Sequence, residues 1–364
     1  MNDPNQVPAA GAPAQRTMTI GNDASVFVSE LQVTGQALLF AMDAQSYGQS
    51  AFLDRRIRRP QPDVTATIAW SQLHGFAAQC QSQDTRWIFH ISHVGSTLLS
   101  RALGVHSRVL ALREPMLLRT LARQCASLHL AESTIDVPTW ERDLTIALGL
   151  LGRPLGIRDQ VVIKATSYCN VMAREIMALQ PASRAVAIYC ALDNFLAGIL
   201  KGRGGLLDIL EMAPLRLRRL HRLIGAQTWS LAAMSPAEQA AMSWTCELLS
   251  LWEAQRFHPA RFSWLNFDRW AGREHSMMQD LAAKLSISWS DKDAMVLEQE
   301  KILGNYSKYG GRPFTAQDRL TEIADVKARE ASNIRKGLEW FEDCCNKHPA
   351  IGRAISEILA SDPP

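Results

Sequence analysis

Apolar positions along this chain fall into two kinds of run. One kind is short, continuous and rich in β-branched and aromatic residues: Trp87–Ile91, Arg108–Leu112, Val161–Ile163, Arg184–Cys190 and Arg261–Phe267. The other is longer, lies between these runs, and places apolar residues at every third or fourth position. The first kind reads as strands buried on both faces, the second as helices. Their alternation predicts an α/β fold: a mostly parallel five-stranded sheet with helices on both faces.

The helical pattern predicts a helix from Pro115 to about Leu130, one from Pro138 to Leu151, one over Tyr168–Leu179 and one from about Asp193 to Lys201. It then predicts a wholly helical block at 205–258, with Pro214 and Pro236 marking starts. Most of the chain after Asp268 is helical too, including one amphipathic helix from Asp325 to Cys345. Ahead of the first core strand, Ala24 to Met42 alternates loosely and reads as a hairpin or a strand–helix element. Residues 1–20 are rich in Pro, Ala, Gly and Gln and read as a disordered tail. Residues 21–364 show no internal repeat and no linker. They read as one domain carrying the block at 205–258 as a helical insertion, on the lid or substrate side.

The stretch Trp87–Leu103 combines a strand, a glycine turn and a helix start. Gly95 is followed by Ser96 and Thr97, either of which is a good helix cap, and Leu98, Leu99, Ala102 and Leu103 then take helical spacing. Such a turn aims several backbone N–H groups and the positive end of a helix dipole at one point, a natural place for a phosphate. The same pattern also opens the first helix of α/β proteins that bind nothing there. Ligands on such sheets sit beyond the carboxyl ends of the strands. That rule makes candidates of His93 to Thr97, Arg113, Glu114, Lys164, Thr166, Asp193 and Asp268.

Composition narrows the classes. A net charge of +3 over 364 residues is too small to argue for nucleic acid. Seven cysteines without a C-x-x-C pair and nine scattered histidines fit reduced thiols and argue against a structural metal. No run of 18 apolar residues and no signal-peptide plan is present, so a soluble, cytoplasmic protein without a membrane span is expected. The basic run Arg55–Arg59 reads as a solvated loop, with phosphate binding as its functional alternative.

The glycine turn lacks the second glycine and the lysine of G-x-x-x-x-G-K-[ST], and it is not G-x-G-x-x-G. His93-Val94-Gly95-Ser96-Thr97-Leu98-Leu99-Ser100, followed by Arg113-Glu114-Pro115, instead resembles the P-loop-type sulfotransferases, in particular their bacterial and tyrosylprotein-like branches. The resemblance covers about residues 87–270. It implies that Val94, Gly95, Ser96, Thr97 and Leu98 hold the 5′ end of 3′-phosphoadenosine 5′-phosphosulfate (PAPS), with no metal. It implies that Glu114 is the general base and that Lys164, in Ile-Lys-Ala-Thr, steadies the transferring sulfonate. His93 stands where the family carries lysine or arginine, and an imidazolium there would neutralise the leaving group.

At the family's 3′-phosphate positions this chain has Leu192 and Leu200, so Lys201 and Arg203, one turn on, are the substitute cations. Ile334–Trp340 superficially resembles a family loop of the form R-K-G-x-x-G-[DE]-W but falls within an amphipathic pattern. Tyr306-Ser307-Lys308 with Arg312 forms a second candidate loop. The implied reaction is sulfuryl transfer to a small-molecule or glycan hydroxyl acceptor. Two alternatives stand beside it: a P-loop kinase or nucleotide hydrolase using Asp193 or Asp268 for magnesium, and a non-catalytic nucleotide-binding protein of the same fold.

Overall fold

The structure is a computed structural model and describes residues 20–61, 65–77, 85–306 and 312–362. Its centre is a five-stranded, all-parallel sheet built from β4 (Arg86–His90), β5 (Val109–Arg113), β6 (Gln160–Lys164), β7 (Arg184–Tyr189) and β8 (Phe262–Asn266), in the order β5-β6-β4-β7-β8. These are the five apolar runs of the sequence. They read clearly because each is buried nearly end to end, as a strand covered on both faces must be.

The crossover from β4 to β5 runs in one direction along the sheet, and every later crossover runs in the other. Right-handed connections therefore put Ser96–Leu103 on one face and the later crossover helices on the opposite one. Met116–Ser127, Val137–Leu151, Ala173–Leu179, Leu192–Leu200 and Pro236–Phe257 make up that second layer. The turn after β4 thus opens beside the central strand of the sheet.

The alternating segment at the N-terminal end is a hairpin, β1 (Val26–Leu31) and β2 (Gln36–Ala41), and a third strand the pattern did not announce, β3 (Ala66–Ala69), completes a separate antiparallel sheet. Arg113, which ends β5, ties the segment after β2 to the parallel sheet. Its buried guanidinium donates to the carbonyls of Tyr47, Gly48 and Ser50, at the end of helix Ala44–Gln49.

Two helix expectations need correction. Pro214 does not start a helix but lies inside Arg203–Ile224. The buried face Ile209, Met212, Ala213, Leu217 and Leu220 continues across it at helical spacing, and that packing outweighs the roughly 3 kcal/mol an interior proline costs. The stretch Asp325–Cys345 is not one helix: it breaks at Glu330 into Ala316–Arg329 and Ala331–Lys347. The first packs against Leu192–Leu200 and the second against Pro236–Phe257, so the two apolar faces point to different neighbours. Pro236–Phe257, with most of its residues buried, is a core helix rather than a mobile cover. No helix among the described residues is long and apolar enough to cross a membrane.

Candidate active site

After His90 the chain turns through three left-handed residues, Ser92 (φ 77°), His93 (φ 53°) and Gly95 (φ 68°). A left-handed serine and histidine cost on the order of 1 kcal/mol or more each, so the surrounding packing must hold them there. Helix Ser96–Leu103 then begins with Gly95 as its cap. This corrects the expected cap: Ser96 and Thr97 lie inside the first turn, and the cap residue, Gly95, has no side chain to accept from the first amides. The cause is Gly95, whose left-handed backbone completes the turn before the hydroxyl residues are reached. A helix start capped by glycine, with amides that the cap residue cannot satisfy, is chemically suited to an anion.

Gly95 is required twice over. Its φ is unfavourable for any L side chain, and a β-carbon there would lie 2.0 Å from Cζ of Phe267, whose ring packs onto the glycine.

Glu114 and Lys164 reach the same place from neighbouring strands. Arg113 and Lys164 are paired in the β5–β6 register. The next residue, Glu114, turns back with φ 53°, and its N–H donates to the Lys164 carbonyl at 2.7 Å. The Lys164 ammonium donates to the Glu114 carboxylate, in an ion pair whose lysine is 1% exposed and whose glutamate is 15% exposed. Burial pushes the Lys164 pKa down, and the Glu114 carboxylate opposes that fall. Phe52, from the N-terminal segment, presents its ring to the ammonium at 5.6 Å.

Ser92 to Leu98, Glu114 and Lys164 line one cavity of about 140 Å³. Its far wall comes from Phe267, Trp270 and the segments Leu303–Tyr306 and Phe314–Ile323. An open groove of about 650 Å³ adjoins it and shares Lys201, Phe314 and Glu322.

The remaining candidates separate. Lys201 lines the cavity and is 2.9 Å from Glu322, whereas Arg203 is exposed and lies outside the lining. His93 is half-buried at the edge, its ring 3.0 Å from where a β-carbon on Gly205 would stand. Leu192 is buried in the first turn of its helix, and neither it nor Leu200 lines the cavity. Arg113 is committed to backbone carbonyls, so Lys164 and not Arg113 is the partner of Glu114.

Asp193 pairs with Lys327, and Asp268 accepts from the Ala191 amide; neither carboxylate lines the cavity. Arg335 and Lys336 are exposed on helix Ala331–Lys347. Gly337 there is a crossing point, pressed against Leu196 and the Ala237 carbonyl. Tyr306 is in the lining, with the Arg312 guanidinium 5.9 Å from its ring; Ser307 and Lys308 lie outside the described residues.

Several cavity residues carried no site signal in the sequence reading. Arg319 holds its guanidinium 4.9 Å from the Phe267 ring, and Glu322 and Phe314 come from the same distant segment. His90 also lines the cavity. A polar residue closing an otherwise apolar strand was the signal that singled out Lys164; His90 also closes its strand, but the apolar Ile91 after it masks that signal. Another groove, of about 1,200 Å³ and on the far layer, is lined by none of the phosphate-site candidates.

No protein-family model matches the chain, and no curated protein matches it. Solved structures similar to it include a sulfotransferase domain from the curacin biosynthetic pathway, at 13% identity and TM-score 0.35, covering 65% of this chain and 81% of that one. Sulfotransferase STF9 from Mycobacterium avium is similar at 10% identity and TM-score 0.39, covering 72% and 80%. Sulfotransferase STF1 from Mycobacterium tuberculosis H37Rv is similar at 14% identity and TM-score 0.32, also covering 72% and 80%.

Proposed function

We propose that this chain transfers a sulfuryl group from a nucleotide phosphosulfate, with PAPS as the donor the motif implies, to a hydroxyl acceptor. One observation carries the reading: the amide turn at Gly95, the Glu114 carboxylate and the Lys164 ammonium line a single cavity at the top of the central strand. Sulfuryl transfer needs a base for the acceptor proton and fixed positive charge where the leaving phosphate gains negative charge. The site has both.

The donor's fit supports the reading in two parts. The helix start is capped by Gly95, which has no side chain to occupy the first amides, and that suits an anion. The 140 Å³ cavity has room for a phosphosulfate end only, below the roughly 300–1,000 Å³ usual for a whole small ligand. The adjoining 650 Å³ groove has room for the nucleoside. PAPS supplies the sulfuryl group on a phosphate leaving group. The amides of Gly95, Ser96 and Thr97 bind anionic oxygen, and Glu114 takes the proton of the attacking hydroxyl. Lys164 faces the charge that moves during transfer, while Lys201 and Arg319 supply the phosphate cations that Leu192 and Leu200 do not.

The test is calorimetric titration with adenosine 3′,5′-bisphosphate and, separately, with ATP and magnesium. The reading expects the bisphosphate to bind without metal and more tightly than ATP. Tighter ATP binding that depends on magnesium would replace it with the kinase or hydrolase alternative.

A further inference from the structure

His90 stands at the carboxyl end of β4, only 4% exposed, and lines the cavity beside Glu114 and Lys164. Register puts it on the same side of the sheet as Lys164. Ile88 pairs with Lys164 on β6, paired residues of parallel strands project to one face, and His90 is two residues beyond Ile88. Its backbone is pinned: the His90 carbonyl accepts from Asn170 Nδ2 at 3.0 Å. The same Nδ2 also donates to Glu247, which is itself held by Arg216 and Arg219.

The ring is oriented by the phosphate loop itself. The N–H of Ser92 donates to His90 Nδ1 at 2.9 Å. Nδ1 must offer a lone pair to accept that bond, so the ring is neutral and its one proton sits on Nε2. The left-handed backbone of Ser92 and His93 turns the chain back over the ring that closes the strand, and so fixes the tautomer. Nε2 is therefore a hydrogen-bond donor.

We infer that His90 is an anion-binding residue of this cavity, a neutral imidazole whose Nε2–H donates to an oxygen of the phosphate or sulfonate held by the loop. This rests on the sulfuryl-transfer reading and deepens it. The histidine facing the transferred group is His90, while His93 packs at the rim against the backbone of Gly205. A neutral donor adds a hydrogen bond beside Lys164 without placing a second positive charge against a buried ammonium.

The experiment uses the full chain with histidine labelled by nitrogen-15. NMR should show His90 as the Nε2–H tautomer in the free protein. Saturation with adenosine 3′,5′-bisphosphate should shift the Nε2 resonance and leave Nδ1 bonded. His90→Phe, which keeps the ring's bulk and removes both nitrogens, should weaken binding about tenfold, the worth of one hydrogen bond to a charged group. His90→Gln, which retains a distal donor, should recover part of that loss. A ligand that binds the wild type without moving His90 Nε2, or binds a folded His90→Phe variant equally well, overturns the role of His90 and leaves sulfuryl transfer standing. Wild-type protein that binds no bisphosphate overturns both. Should His90→Phe not fold, the wild-type resonance alone decides.

Discussion

Glu114 and Lys164, 50 residues apart in sequence, form an ion pair whose lysine is almost completely buried. The pairing sets the Glu114 carboxylate directly beside the cation that transfer needs. Glu114→Gln keeps the shape and removes the base. It should lower transfer by ~10²–10⁴-fold, the usual worth of a general base, while adenosine 3′,5′-bisphosphate still binds. Full activity in this variant, measured with labelled donor, would remove Glu114 from the mechanism.

The same pair predicts a dependence of stability on pH. Burial holds the native Lys164 pKa below the 10.5 of the unfolded chain. The unfolded chain therefore keeps this proton more tightly, and stability rises with pH between the lowered native value and 10.5. Urea midpoints measured at rising pH below 10.5 should show this contribution in the wild type. It should be absent from Lys164→Met/Glu114→Gln, where both charges are gone; an unchanged pH slope in the double variant would place the proton elsewhere.

Gly95 and Phe267 predict a steric cost. Gly95→Ala forces a β-carbon into the Phe267 ring and puts alanine at φ 68°. Overpacking of this kind costs about 1–3 kcal/mol, and the left-handed alanine about 1–2 kcal/mol more. Thermal unfolding should show a large loss, and Phe267→Leu in the same chain should recover the overpacking share. A loss that Phe267→Leu does not touch would mean that the backbone angle alone sets it.

Cations at the cavity should matter and one nearby should not. Lys201→Ala and Arg319→Ala each remove a charge from the lining, and each should weaken bisphosphate binding about tenfold. Arg203→Ala changes an exposed residue outside the lining and should leave affinity unchanged. Equal losses from all three variants would point to general electrostatic attraction instead of a built site.

The parallel strands were legible because burial on both faces makes each a continuous apolar run, bounded by the polar residues that reach the site. Lys164 stood out for that reason: a charge ending Val161-Val162-Ile163 has to serve something. His90 escaped because its strand continues into the apolar Ile91, which makes the histidine look interior. The wall built by Phe314, Arg319 and Glu322 left no local trace, since only tertiary packing brings a helix 200 residues downstream over the loop. The break at Glu330 was hidden because the apolar spacing of each half continues smoothly while the neighbours it meets change.

The central claim is that the main chain around Gly95 grips the phosphate end of a nucleotide within reach of Glu114 and Lys164. A crystal structure of the protein with adenosine 3′,5′-bisphosphate measures this most directly. The account predicts the 5′-phosphate within hydrogen-bonding distance of the amides of Gly95, Ser96 and Thr97, with Lys164 alongside. A nucleotide bound in another groove, or a 5′-phosphate that makes no contact with those amides, would contradict it.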